Sequence, residues 1–510
     1  MHVYGALFPA PDTKHHKGMA LGVQKRMLAS PPVGDLGQLA KLKSYVTDWC
    51  KKHLKPLPFD EDLSFENWLN HTNYPLWRKE ELRKENERIS NKPFKASKYA
   101  RVKCFMKKEQ YPEYKYPRNI FARIDAFKIK LGPFIKAMEN VIYKIPSFIK
   151  HVPVSERGNY VKDYIYQEGC VYMATDYSQY ESHFVKSAIE NVEQVVYDYL
   201  LQNVPNKKEF DELMNVIKST NQCYFQNFRV NVQASRMSGE MNTSLGNGIA
   251  NFFLTKFVLH ELGYTEEEMK LVVEGDDGLT KVYRHKLPNS NMFKVLGFTI
   301  KLEIFERISE ASFCGLIFDE DDRDIITDPI DVLLNIFWLN GVKYGKAKTK
   351  KLLSLLKCKA LSALYQYPAC PIIKPLAVKI LELTSHVPLK IDWENTYELE
   401  LTIQMIQHVR NVNGGSLRLT PNTIEMLSKP IKINTRLLME RKFNITIAQQ
   451  LAAENEIQNL QLGKVLRLTS LESNFSKDAT HFYENYVAEN YTTNKQDQHY
   501  SNYVPIVTGL

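Results

Sequence analysis

The chain has 510 residues, 44% hydrophobic and 25% charged, which is a globular balance too large for one simple core. Seven scattered Cys without a CxxC pair exclude a zinc ribbon or a disulfide framework and suit free thiols in a reducing compartment. A formal net charge of +9 leans toward a polyanionic partner. No apolar run is long enough to span a bilayer, and Met1-His2-Val3-Tyr4 does not begin a signal peptide. Membrane attachment is therefore expected only indirectly, through partners or segments outside this chain.

Residues 1 to about 60 carry Pro and Gly punctuation around a helix predicted from Leu36 to Lys51. Two helices are predicted between Phe65 and Ile89, the second with the alternating charges of a solvated face. A basic tract follows, with Lys92, Lys95, Lys98, Arg101, Lys103, Lys107, Lys108, Lys115, Arg118 and Arg123. Within it RVKCFMKKE alternates as a strand, placing Arg101, Lys103 and Lys107 on one side. Lysines on an edge strand can serve only to block aggregation. Here the cations run on into YPRNIFARID with few matching acids, which suits a phosphate-binding wall. A loop then enters an amphipathic helix predicted from Pro133 to Tyr143.

Cys170 to Ala174 is a short apolar run that delivers Asp176 at the end of a buried strand. Helical spacing from Ser182 to Leu201 follows, so Asp176 could equally cap that helix. Ser238-Gly239 opens a small, hydroxyl-rich loop that runs into a long apolar helix through Leu262. On it Thr243 and Asn247 share one face at i and i+4, a costly pairing on so apolar a helix unless they have a task. Leu271 to Tyr283 reads as a hairpin with Asp276-Asp277 at its tip between glycines. Two adjacent carboxylates repel each other, and a divalent cation would offset that cost. A helix, a turn at Gly297, a strand through Lys301 and a second hairpin around Phe313-Cys314-Gly315 come next. From about Ile330 the periodicity is helical, and beyond Ser470 an irregular tail is expected.

Together these motifs resemble the RNA-dependent RNA polymerases of positive-strand RNA viruses, in particular tombusvirus-like and nodavirus-like replicases. DYSQYESHF from Asp176 looks like motif A of that family, and Ser238-Gly239, Thr243 and Asn247 match SGxxxTxxxN of motif B. Gly275-Asp276-Asp277 matches motif C, and FMKKE followed by RNIFAR resembles motif F. Lys301 and Phe313-Cys314-Gly315 fall where motifs D and E belong.

The resemblance implies an α+β right-hand fold of fingers, palm and helical thumb. The N-terminal segment and fingers would occupy 1–169, with the basic strand at about 101–123. The palm would take 170–203 and 238–325, separated by a fingers insertion at 204–237. The thumb would take 326–470 and the tail 471–510. It also implies two Mg²⁺ ions, replaceable by Mn²⁺, on Asp176 and Asp276 with Asp277 in support. Lys107, Lys108, Arg118 and Arg123 would meet the triphosphate, and Lys301 would protonate pyrophosphate. Ser238, Gly239, Thr243 and Asn247 would bind the nucleotide and its ribose 2′-OH, and Phe313, Cys314 and Gly315 would lie on the primer or product side. Where many members carry a second Asp in motif A, this chain has Glu181, which keeps the carboxylate on a longer arm.

The implied activity is RNA-templated RNA synthesis for a viral genome, with template, nascent RNA and NTPs as partners. The implied setting is the host cytoplasm, within membrane-associated replication complexes that include viral or host proteins. A reverse transcriptase shares the paired acids, but a deoxynucleotide site has no 2′-OH for Thr243 and Asn247 to bind. A catalytically silent RNA-binding protein would gain nothing from acids that repel phosphate.

Overall fold

The computed structural model describes residues 16–107, 118–340, 344, 346–391, 399–475 and 503–505. Lys108 and Lys115 of the basic tract lie outside these residues, as do 476–502 and 506–510 of the expected tail. The chain is a mixed helix and sheet protein with two four-stranded sheets and a helical C-terminal region.

The first sheet contains β1 (Arg101–Met106), β2 (Asn119–Arg123), β4 (Asn221–Tyr224) and β5 (Arg229–Val232) in the order β2-β1-β4-β5. The basic strand β1 is thus interior, antiparallel to β2 and parallel to β4, rather than the edge strand that its lysines could have served. Its alternation is real. Val102, Cys104 and Met106 pack on a core with Met19, Val23, Met27 and Met237, while Arg101, Lys103 and Phe105 face outward.

The second sheet contains β3 (Val171–Tyr177), β6 (Leu271–Glu274), β7 (Asp277–Val282) and β8 (Ile300–Phe305), all antiparallel, in the order β6-β7-β3-β8. Its strands β3, β6 and β7 are covered on both faces, whereas Lys301, Glu303 and Ile304 of β8 are exposed. Leu271 and Val273 belong to the largest core, with the helices Leu36–His53, Asp125–Ile142 and Thr243–Glu261. Val272, Leu279 and Tyr172 point the other way, into a core with Ile149, Val161 and Phe313. Double-sided burial explains why these strands read as apolar runs rather than as polar–apolar alternation.

Two helices depart from the sequence expectation. The one predicted to start at Pro133 begins at Asp125 and carries Pro133 in its interior. Interior proline costs about 3 kcal/mol because it removes a backbone donor. The stripe Phe127, Leu131, Phe134, Ile135, Met138 and Ile142 offsets this by packing between the helices Phe65–Asn70, Leu76–Ser90 and Lys207–Ile217. The helix predicted over Ser182–Leu201 is divided at Val192 (φ −124°, ψ −83°) into Lys186–Asn191 and Glu193–Leu200. This break starts the second helix at Glu193, a buried acid with a specific partner described below.

Past β8, the strands Ile317–Phe318 and Ile325–Ile326 pair and lead into helices that begin at Pro329–Asn335 and end with Ile447–Gln458. Thr349–Gln366 and Ile373–Leu383 pack together at the centre of their own hydrophobic core. In the expected tail, Thr469–Asn474 forms a short 3₁₀ turn and Tyr503–Pro505 pairs with Trp338–Asn340.

A Cβ at Gly132 would collide with the indole of Trp68. Gly132→Ala is therefore expected to lower unfolding free energy by about 1–3 kcal/mol, measured by urea denaturation. An unchanged midpoint would contradict this contact between the long helix and Trp68.

Candidate active site

The hairpin β6–β7 turns through Gly275 and Asp276, with Gly275 at φ +63°. Its three turn carbonyls point toward the helix Thr243–Glu261. There the amide of Asn251, 0% exposed, donates from Nδ2 to the carbonyls of Gly275 (3.3 Å), Asp276 (3.0 Å) and Asp277 (3.0 Å). Asn251 Oδ1 in turn accepts from the Tyr177 hydroxyl at 3.4 Å. One side chain thus ties the acidic turn to the helix and to the end of β3. Sequence reasoning missed Asn251, although it lies four residues beyond Asn247 on the same polar stripe.

Asp176, the next-to-last residue of β3, lies one step beyond the Thr175–Gly278 pair, which aligns it with Asp277 across the strands. On its other side it is paired in register with Lys301 of β8. Directly opposed residues of antiparallel strands project to the same face, about 4.5–5.5 Å apart at Cβ. Asp176, Asp276, Asp277 and Lys301 therefore gather at one end of the sheet. Surrounding protein raises the Asp276 carboxyl above its usual range, helped by Glu181 and Asp176 and opposed by Arg118. Asp277 is exposed at the tip of β7, yet the protein packed around its carboxyl, then Asp276, pushes it up to about 6, with Glu274 and Asp176 adding to the effect. Lys301 is 66% exposed and donates to Glu303 at 2.6 Å, a bond that holds its ammonium above the ordinary range.

These are hard oxygen donors crowded at like charge. Among the described residues no three Asp, Glu, His or Cys close into a ready-made metal cage. The donor set fits Mg²⁺, which favours one or two carboxylates completed by waters and substrate phosphates.

Next to the turn lies a cavity of about 220 Å³ whose lining includes Arg26, Met27, Lys107, Arg118, Asn119, Glu181, Ser238, Thr243, Asn247 and Asp276. It brings the cations flanking β1 and β2 together with the acid in the turn between β6 and β7. The joint is made by backbone: Phe121 N–H of β2 donates to the Ser238 carbonyl at 2.8 Å, and Gly239 packs directly against the Phe121 carbonyl. Inside the cavity Ser238 Oγ donates to Glu181 Oε1 at 2.8 Å, so the longer acid reaches the serine. Thr243 Oγ1 donates to the Met237 carbonyl at 3.1 Å. Asn247 is 7% exposed, and its Oδ1 accepts from Arg236 Nε at 3.0 Å.

Asn119 was not singled out by sequence reasoning. It is 6% exposed, lines this cavity, and both polar atoms of its amide lack a partner among the described residues. An amide buried in that state costs about 1–3 kcal/mol, which marks the cavity as built for a polar ligand.

Arg123 is not brought to this cavity. It is 5% exposed and bonds Glu240, Asn221 Oδ1 (2.6 Å) and the Tyr99 carbonyl (2.8 Å), so its donors are spent inside the protein. Lys108 lies outside the described residues. Phe313, Cys314 and Gly315 form a tight turn with Cys314 at φ 53° and Gly315 at φ 72°. The Cys314 thiol donates to Glu274 Oε2 at 3.7 Å, and Arg157 pairs with the same oxygen at 2.8 Å, which docks this turn on the acidic hairpin.

Comparison with known proteins gives a consistent result. Residues 39–316 match the family described as viral RNA dependent RNA polymerase. The chain is 27% identical over 205 residues to the RNA-directed RNA polymerase of striped jack nervous necrosis virus, covering 39% of this chain and 21% of the relative. It is 28% identical over 228 residues to that of groundnut rosette virus (strain MC1), covering 40% and 26%. It is 24% identical over 269 residues to that of turnip crinkle virus, covering 50% and 32%. The chain thus spans between about a fifth and a third of the length of these relatives.

Removal of the helix-to-turn clamp should be measurable. Asn251→Ala is expected to destabilise the protein by about 1–3 kcal/mol and to speed amide hydrogen exchange at Gly275–Asp277. Unaltered exchange there would show that the turn holds itself.

Proposed function

Because the chain belongs to the viral RNA-dependent RNA polymerase family, we propose that it performs RNA-templated RNA synthesis by nucleotidyl transfer. The carrying observation is the single cavity in which Lys107 and Arg118 meet Asp276, Glu181, Ser238, Thr243 and Asn247. Cations for a triphosphate, an acid for the reacting end and polar groups for a ribose are the three things a nucleotide needs. On this reading the β6-β7-β3-β8 sheet is the palm, the β2-β1-β4-β5 sheet belongs to the fingers, and the helices from Pro329 form the thumb.

The 3′-OH of the growing strand attacks the α-phosphate of an NTP. A phosphodiester forms, the bond to the leaving oxygen breaks, and pyrophosphate departs. Two divalent cations held by Asp176 and Asp276, Mg²⁺ or Mn²⁺ in its place, would activate the attacking oxygen and offset charge on the leaving one. Asp277, aligned with Asp176 across the strands, supports that acidic set. Lys107 and Arg118 hold the triphosphate and neutralise charge developing on it. Lys301, opposite Asp176 and with its ammonium favoured by Glu303, would give pyrophosphate its proton. Asn247 and the Glu181–Ser238 pair meet the ribose 2′-OH, the group that separates RNA precursors from DNA precursors. The Phe313-Cys314-Gly315 turn, docked on Glu274, faces the primer side.

Primer extension on a defined RNA with Mg²⁺ tests this reading. Asp276→Asn is expected to reduce incorporation by roughly 10²–10³-fold or more while RNA affinity is kept. Incorporation at the wild-type rate would remove Asp276 from the chemistry. Lys107→Ala should raise the apparent KM for NTP about tenfold, the scale of one charge-assisted hydrogen bond. A change confined to RNA affinity would instead move Lys107 to the template path.

A further inference from the structure

Beneath the sugar side of the cavity lies a charge pair that none of the steps above uses. Arg236 is 0% exposed, and its Nη2 donates to Glu193 Oε2 at 2.8 Å. The same oxygen accepts from the Tyr197 hydroxyl at 3.0 Å, and the guanidinium lies over the Phe184 ring at 4.2 Å. Its Nε bonds Asn247 Oδ1 at 3.0 Å, while Nη1 has no partner among the described residues. Gly246 makes room for this arrangement, since a Cβ there would collide with both Glu193 and Arg236.

A guanidinium has only donors, so it fixes which end of the Asn247 amide faces it. The oxygen is held inward, and the Nδ2 amino group is what Asn247 can present to the cavity. Glu181, whose carboxylate lines the same cavity, supplies an acceptor. A ribose 2′-OH can accept from one and donate to the other, whereas a 2′-hydrogen can do neither. A turned amide would set its oxygen beside the Glu181 carboxylate, two acceptors facing one hydroxyl. The geometry points to Arg236, anchored by Glu193, as a positioning residue that sets the polarity of Asn247 and thereby the preference for ribonucleotides over deoxyribonucleotides.

This inference rests on the polymerase reading, and its test separates the two. The measured quantity is the ratio of kcat/KM for UTP to that for dUTP on one RNA template. Arg236→Lys keeps a buried cation against Glu193 but has no Nε–H fixed on Asn247. The double variant Arg236→Met with Glu193→Met removes both charges together, a change that buried pairs often tolerate when apolar groups of similar volume replace them. Both variants are expected to melt cooperatively. In both, the UTP-to-dUTP ratio should fall about tenfold, the worth of one well-made hydrogen bond, through loss with UTP and little change with dUTP. If Arg236 only braced the fold, efficiency with the two nucleotides would fall together. An unchanged ratio in either folded variant overturns the proposal. Failure of the wild-type protein to incorporate UTP would overturn the polymerase reading itself, and this inference with it.

Discussion

The arrangement of the site depends on one hydrogen-bonding side chain in an otherwise apolar helix. The two N–H groups of the Asn251 amide are shared among three carbonyls of the acidic turn. Three converging carbonyls make a negative end to a turn that already carries two carboxylates. A buried donor amide is therefore what lets the hairpin close against the helix without leaving polar groups bare. Because Thr243, Asn247 and Asn251 follow one another at four-residue steps, the acidic turn and the polar groups lining the cavity are held by the same helix. Movement of one set relative to the other would require bending a helix that is buried along nearly its whole length.

Two buried ion pairs hold this rod against its surroundings. Arg123 of β2 reaches Glu240 just before the helix, and Arg236 reaches Glu193 at the start of the helix behind it. Burial outweighs the attraction of Arg123 and keeps the Glu240 carboxyl above its normal range, as expected where desolvation is severe. Such pairs add little net stability, but either partner left alone would be a buried charge. Each charge is therefore satisfied only where its partner meets it, which ties the cationic sheet to the segment around Ser238. Arg123 thus builds the wall on which Lys107 and Arg118 stand, and does not itself face the cavity.

Some of this was legible in the chain because it is local. The Asp276-Asp277 turn, the alternation of β1 and the Thr243–Asn247 spacing each follow from chemistry within about ten residues, and each appears where expected. Pro133 and Arg123 were misjudged for a common reason. Proline usually starts a helix, and Arg123 was expected with its neighbouring cations at the triphosphate, but neither expectation knows what packs on the other side. Phe127 and Leu131 carry the helix through Pro133, and Glu240, distant in sequence by more than a hundred residues, claims Arg123. Asn251 and Asn119 were overlooked because an asparagine acquires meaning only from the carbonyls or the cavity beside it.

By itself, then, the order of residues determined which short segments become strands and turns, and which chemical groups each carries to its tip. Periodicity and turn chemistry act over a few residues and need no knowledge of the rest. Only the tertiary structure decided which groups meet. Asp176 comes alongside Asp277 through strand register, Phe121 of the first sheet binds the Ser238 carbonyl in the loop before the long helix, and the Asn247 amide is oriented by a guanidinium eleven residues earlier in the chain. Those choices rest on burial and desolvation, which are properties of the assembled core and of no segment within it.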